Sequence, residues 1–169
     1  MKATAFLLAA RWKSYGILDR YGHSADFRLK NPDGRTALLS ALQGQDDVKM
    51  EYLKLFIRKG SDLADVDQTG YGPIHHCVLF NRANSITRFL LQSGAEIDLV
   101  DKSRKTPLWH AVNLGMNDMV RCLLLNGAWF GPLRPPSSQG LWKKDLEELL
   151  EDKQKERLEV IKENIQVAT

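Results

Sequence analysis

Apolar residues recur at helical spacing in paired short runs, each pair punctuated by glycine. Within 101–128, Leu108, Ala111 and Val112 make one run, and Met119, Val120, Leu123 and Leu124 make a second. Thr106 is placed to cap the first run, and Pro107 to take its first helical position, where a missing N–H leaves nothing unsatisfied. Gly115 and Gly127 are placed to end the two helices, since glycine accepts the left-handed backbone of a helix terminus without penalty. The pattern predicts a helix–turn–helix unit whose helices are too short to be stable alone.

The unit is written three times. Gly72-Pro73-Ile74-His75-His76-Cys77 stands where Thr106-Pro107-Leu108-Trp109-His110-Ala111 stands, and Phe89-Leu90-Leu91-Gln92-Ser93-Gly94-Ala95 matches the run that closes at Gly127-Ala128. Earlier, Asp33-Gly34-Arg35-Thr36-Ala37-Leu38-Leu39-Ser40-Ala41 pairs with Leu55-Phe56-Ile57-Arg58-Lys59-Gly60. The closing glycines, Gly60, Gly94 and Gly127, stand 34 and then 33 residues apart. This period, with a turn before each helix pair, and the Thr-Pro-Leu-x-x-Ala wording resemble the ankyrin-repeat family. The resemblance implies an all-α repeat solenoid of stacked helix–turn–helix units joined by β-hairpin-like turns. It divides the chain into an ankyrin-repeat domain over 1–130, with a degenerate cap over about 3–30 and repeats over about 31–66, 67–100 and 101–130.

Three irregularities stand out against that frame. The first repeat carries two or three extra residues, placed by the spacing between its helices, around Gly44-Gln45-Asp46-Asp47-Val48-Lys49; loops absorb such insertions at little cost. Gly72 replaces the capping Thr in the second repeat, predicting a weaker N-cap, and Phe80-Asn81 stands where a helix-closing Gly belongs. Arg104 occupies a turn position where the family carries Gly. In the cap, Leu7 to Ala10 predict a first helix, Ile17 and Leu18 a second, and Tyr21-Gly22-His23-Ser24-Ala25-Asp26 a closing turn. An apolar start of this kind also invites a signal-peptide reading, but Arg11-Trp12-Lys13 follows at once and the cap helix accounts for the same residues.

Beyond Gly127 the pattern breaks. A Pro/Gly/Ser-rich connector runs over 131–140, where prolines forbid a helix, and a helix-favouring segment follows over 141–169. Trp142, Leu146, Leu149 and Leu150 form its apolar stripe. As a cap this segment covers the open end of the third repeat, with Trp129 and Phe130 packed under Trp142 and Leu146. As a projecting helix it leaves an apolar patch for a neighbouring domain or a second copy. The cap with a monomeric chain is the preferred arrangement, and an assembly element using the C-terminal helix is the alternative. A coiled coil is disfavoured because Lys153 and Arg157 would fall in its seam.

Composition narrows the function classes. The chain holds 24 Lys and Arg against 21 Asp and Glu, a net charge of +3, too small for most dedicated nucleic-acid binders. Its two cysteines, Cys77 and Cys122, lie at apolar helix positions in different repeats, which points to an intracellular, reducing compartment, cytoplasmic or nuclear, rather than to a disulfide. No apolar run approaches the length of a membrane span. There is no phosphate-binding glycine loop, no nucleophile elbow and no metalloprotease or paired-cysteine motif, so neither an enzyme nor a cofactor is expected. His75, His76, Cys77 and His110 invite a metal, but neighbouring helix residues point apart, and none is expected there. The family resemblance makes His75 a structural residue bonded to a neighbouring turn.

The resemblance implies a protein–protein interaction module, a scaffold or adaptor segment of a larger protein, acting through hairpin tips and the concave face of the first helices. Carried onto this sequence, the tips hold Arg35; Gln68, Thr69 and Tyr71; then Lys102, Ser103, Arg104 and Lys105. The first-helix positions are Ser40, His76 and His110, and one turn on come Gln43, Leu79 and Asn113. Trp109 replaces the signature histidine, either filling the groove between repeats or standing exposed as an anchor. The candidate binding set is therefore Tyr71, Arg104, Lys105, Trp109, His76, His110, Leu79, Arg35 and Lys102, led by Tyr71, Arg104 and Trp109, since aromatics and Arg dominate interfaces. Clustered cations at the third tip read first as a solvated surface, and after that as a contact for an acidic protein partner. Nucleic acid and anionic lipid are weaker candidates, because Asp98 and Asp101 flank the cluster.

Overall fold

In the computed structural model, residues 2–21, 25–43 and 48–129 are described. Their helices are α1 (Lys2–Arg11), α2 (Tyr15–Tyr21), α3 (Ala37–Leu42), α4 (Met50–Arg58), α5 (Pro73–Leu79), α6 (Asn84–Gln92), α7 (Pro107–Asn113) and α8 (Asn117–Leu125). No β-strand occurs among the described residues. Helices pair as α1/α2, α3/α4, α5/α6 and α7/α8. First helices pack on first helices, α1 on α3, α3 on α5 and α5 on α7, and α6 packs on α8. The connector 131–140, the segment 141–169, Phe130, residues 22–24 and most of the insertion lie outside the described residues. The helix boundaries place the extra residues of the first repeat between Leu42 and Met50, as the spacing predicts.

The three regular helix pairs make their core largely from the apolar runs read in the sequence, joined by Leu42 and Leu53, while in the cap pair Leu7 and Leu18 are buried and Leu8 and Ile17 are exposed. Leu38, Leu39, Leu42, Leu53, Phe56, Ile74, Leu90, Leu108 and Leu123 are all fully buried. Burying a Leu, Ile or Phe side chain contributes roughly 1.5–3 kcal/mol, and much of that here comes from the neighbouring pair rather than from within it. The second helix of each repeat stops the same way. Gly60, Gly94 and Gly127 take φ of 90°, 103° and 92°. The residue after each returns its N–H to the carbonyl five back, Ser61 to Phe56, Ala95 to Leu90 and Ala128 to Leu123, all at 3.0 Å.

First helices begin on caps that differ for a reason. Thr36 Oγ1 accepts from Leu39 N at 3.4 Å, and Thr106 Oγ1 from Trp109 N at 3.2 Å. At Gly72 a β-carbon would stand 2.5 Å from Leu99 Cδ2, so the Leu99 side chain fills the space a Thr would need. His75 Nδ1 accepts from Gly72 N at 3.4 Å instead, tying the start of α5 together from the other direction. Asn81 closes α5 at φ 48°, where Gly115 closes α7 at φ 69°; Asn is the side-chain-bearing residue that best tolerates this region.

The turns ahead of the first helices, 31–35, 67–71 and 101–105, are three copies of one geometry. In each, the fourth residue donates to the carbonyl of the first: Gly34 to Asn31 at 2.9 Å, Gly70 to Asp67 at 3.0 Å, Arg104 to Asp101 at 2.9 Å. The fourth residue is left-handed every time, with φ of 77° at Gly34, 84° at Gly70 and 59° at Arg104. Successive turns are stitched by Gln68 N to Asp33 O at 2.9 Å and Lys102 N to Thr69 O at 3.1 Å. That contact explains the two glycines: a β-carbon would lie 3.1 Å from Gln68 N at Gly34 and 2.8 Å from Lys102 N at Gly70. Arg104 therefore keeps the turn that its departure from the family pattern put in question. Gly70→Ala should lower the unfolding free energy by about 2 kcal/mol or more, summing backbone strain and overlap, whereas Arg104→Ala should change it by less than about 0.5 kcal/mol. Urea denaturation followed by circular dichroism measures both, and equal losses at the two positions would contradict the packing account.

Candidate functional site

Each turn is organised by the side chain of its first residue. Asn31 Oδ1 accepts from Asp33 N at 3.0 Å and Arg35 N at 2.9 Å. Asp67 Oδ1 accepts from Thr69 N at 2.9 Å and Tyr71 N at 3.1 Å, and Asp101 Oδ1 from Ser103 N at 2.7 Å and Lys105 N at 2.9 Å. One oxygen thus satisfies two amides that the reversing chain cannot pair with its own carbonyls. Two of the three carry a second carboxylate oxygen, and it faces side chains of the first helices and, at Asp67, of the preceding turn. Asp67 Oδ2 lies 3.3 Å from Arg35 Nε and 3.3 Å from His76 Nε2. Asp101 Oδ2 meets His110 Nε2 at 2.8 Å. The first repeat has Asn31 opposite Ser40 at the corresponding places, and neither side carries charge.

Burial by itself would raise the Asp67 carboxyl. The contacts with His76, the Thr69 hydroxyl and the Tyr71 and Thr69 amides outweigh it, and hold the group well below the usual carboxylate range. Asp101 is treated the same way: burial raises it, and the Lys105 amide, His110 and the Ser103 amide pull it below its ordinary value. His75 is fully buried; its Nε2 donates to Lys105 O at 3.1 Å, which fixes the neutral tautomer and pins α5 to the next turn. Burial pushes its pKa down to about 4.

The turns also bring together a group the spacing of helix residues does not reveal. His75, Asp101 and His110 offer ligand atoms within 4.8 Å of one another. They come from α5, a turn and α7, so pairwise helix spacing cannot show them meeting. Their bonding is already committed. Both histidines present Nε2–H to oxygen acceptors, Lys105 O and Asp101 Oδ2, and His75 Nδ1 is occupied by Gly72 N. A metal ion would displace two N–H protons and cut a bond that joins neighbouring repeats.

The expected binding residues separate into those used inside the protein and those facing out. His76 is corrected: expected to offer contact on the concave side, it is 1% exposed, faces Asp67 and stacks on Phe80 with centroids 5.8 Å apart. Arg35 is corrected as a tip cation, because its guanidinium pairs with Asp33 at 2.8 Å and with buried Asp67 at 3.3 Å. His110 is largely covered by Asp101, Tyr71 at 5.5 Å and Trp109 at 5.2 Å, and Leu79 is half-buried on α5. Tyr71 stands half-buried over His75 at 5.4 Å. Lys102, Ser103 and Arg104 are exposed, and Lys105 lays its ammonium 4.5 Å from the ring centre of half-exposed Trp109. The sequence reading missed Asp67 and Asp101 as organisers; an Asn or Asp nine residues before Ser40, His76 and His110 is the signal that was there to find.

Stacked helix pairs, left-handed turn residues and a row of turns stitched amide to carbonyl define a helical repeat protein. The family description "ankyrin repeats (3 copies)" matches residues 6–101 and 49–132. The chain belongs to the ankyrin-repeat family. It is 38% identical over 60 residues to a putative ankyrin repeat protein of Borreliella burgdorferi, covering 36% of this chain and 27% of that one. It is 30% identical over 131 residues to the mouse B-cell lymphoma 3 protein homolog, covering 74% of this chain and 28% of the relative. It is 28% identical over 115 residues to the neurogenic locus notch homolog protein 1 of Xenopus tropicalis, covering 61% of this chain and 4% of that protein. The chain thus spans about a quarter or less of the length of these relatives.

The buried groups give a pH test. A histidine whose folded pKa is depressed stabilises the fold fully above its unfolded value near 6.5, and the contribution is lost as pH falls towards 4. The loss over that window should be about 3 kcal/mol. Asp67 and Asp101 add a further loss below the ordinary carboxylate range, since their folded forms hold the charge more tightly than the unfolded chain. Urea midpoints at pH 7, 5.5 and 4.5 should fall for the wild type and fall less for His75→Gln. Identical slopes for the two chains would remove His75 as the source.

Proposed function

We propose that this chain recognises another protein through the third turn and the helix surface beside it, with Tyr71, Lys102, Arg104, Lys105 and Trp109 as contact residues. The observation that carries the reading is the different use of cations along the row. Arg35 in the first turn is consumed by Asp33 and Asp67, whereas Lys102, Arg104 and Lys105 in the third form no ion pair among the described residues. Recognition of proteins is the general use of ankyrin repeats, and family membership supports this class over catalysis. A clustered positive surface beside a partly exposed indole favours an acidic protein segment.

The role is that of a scaffold or adaptor segment. No helix among the described residues is long and apolar enough to cross a membrane. Cys77 and Cys122 are free and buried, and burial pushes the Cys77 thiol up to about 12, which suits a reducing, intracellular setting without demanding one. Tyr71 packs against three histidines, so its removal would disturb the fold, and exposed charges make the better test. In capture from cell lysate, Lys102→Glu/Arg104→Glu should lose the bound protein by about tenfold or more, while Lys54→Glu on α4 should not. A bound set unchanged by the double substitution would remove this surface.

A further inference from the structure

The three turns carry an internal precedent for what the last one binds. In the first two turns the fifth residue, Arg35 and then Tyr71, lies by the acid that opens the next turn; Lys105 is the fifth residue of the third. Arg35 reaches Asp67 at 3.3 Å. Tyr71 stands edge-on to His110, the partner of Asp101, and its phenol's pKa is raised by burial first, then by Asp101 and Asp67. Among the described residues Lys105 has no such acid. Its ammonium rests on its own repeat's Trp109. One repeat length after Asp101 the chain reads Arg134-Pro135, and no Asp or Glu occurs between Asp118 and Asp145.

A second observation says how an acid can arrive. At Gly34 and Gly70 the following turn brings its backbone amide within 2.8–3.1 Å of where a β-carbon would be. The third turn holds Arg104 at the same left-handed position, with a real β-carbon in that space. A further turn stacked in the manner of the first two would meet it. Access for a side chain reaching in from solvent toward Lys105 is not blocked by that atom.

We infer that Lys105, with Arg104 and Lys102 beside it, is a receptor for a carboxylate delivered by a partner's Asp or Glu side chain, taking the place Asp67 takes for Arg35. The partner is an acidic, extended peptide segment and not another ankyrin turn. This rests on the third turn being the recognition surface. Docking draws the Lys105 ammonium from Trp109 toward the incoming carboxylate, so the indole reports occupancy.

The test uses the full chain, labelled with nitrogen-15, titrated with acetyl-Gly-Glu-Gly-Glu-Gly-Glu-Gly-amide and with its Gln counterpart. The Glu peptide should shift the amides of Lys102 to Lys105 and the Trp109 indole N–H, binding at least about fivefold more tightly than the Gln peptide and weakening with salt. Lys105→Gln should abolish the indole shift and most of the binding, Lys105→Arg should keep the binding, and Lys54→Gln should change neither. Equal shifts with both peptides, or full binding by Lys105→Gln, overturns the inference. If binding falls with Lys102→Gln and Arg104→Gln but not with Lys105→Gln, the role of Lys105 is overturned and the turn survives as a recognition surface. If neither peptide shifts these residues, the carboxylate receptor is overturned, and the lysate capture decides the surface independently.

Discussion

The structure depends on a single chemical device: a short side-chain amide or carboxylate at the head of each turn, bonded to two backbone amides of that turn. A reversing backbone leaves N–H groups that cannot find helical partners, and an unpaired buried amide is expensive. Asn31, Asp67 and Asp101 absorb that demand locally. Only then can turns stand close enough for Gln68 and Lys102 to donate to the turn before. With the turns held, the first helices start in register and the apolar stripes of α3, α5 and α7 meet.

The same device supplies the electrostatics. Carboxylates at the second and third turns leave one oxygen over: Arg35 of the preceding repeat and His76 of the same repeat face that of Asp67, and His110 of the same repeat meets that of Asp101. Arg35, His76 and His110 are therefore drawn inward. Charge that a reading of tips alone assigns to the surface is spent inside the protein, between repeats at Arg35–Asp67 and within a repeat at the two histidines. A buried pair of this kind contributes little over an apolar pair of the same shape, but breaking one partner strands the other, so it fixes register more than it adds stability. His75 does related work without charge, since its neutral ring bridges the start of α5 and the backbone of the third turn.

The fold was legible because its signals are periodic and local. Closing glycines, a Thr-Pro helix start and apolar spacing each report on a few adjacent residues, and three copies reinforce one another. The candidate surface was read less well. His76 and His110 occupy matching positions, yet His76 is buried while His110 keeps some exposure: Phe80 stacks on His76, and its counterpart one repeat on, Leu114, is exposed. Arg35 looks like an exposed turn residue in isolation, and its partner Asp67 lies 32 residues away across a repeat boundary. Asp101 was read as a charge opposing the cations, whereas its oxygens are bonded to backbone and His110. Contacts from a turn to its own first helix, and in the case of Arg35 across a repeat boundary, set these outcomes, and the spacing of residues along one helix does not encode them.

Departures from the repeating rule sort into two kinds. Gly72 in place of Thr is explained by the Leu99 side chain, and Asn81 in place of Gly by the tolerance of Asn for left-handed backbone; both are answers to local packing. Arg104 in place of Gly and Trp109 in place of the histidine seen at His75 have no such cause among the described residues. Arg104 accepts a strained backbone, about 1 kcal/mol or more, for a side chain held out in solvent. Trp109 leaves part of a large ring uncovered except by a lysine. Natural sequences tend to break local rules where function requires it. Two unexplained departures in one turn and its helix, on an otherwise rule-bound scaffold, are a physical reason to look for the partner at that end, independent of what any relative binds.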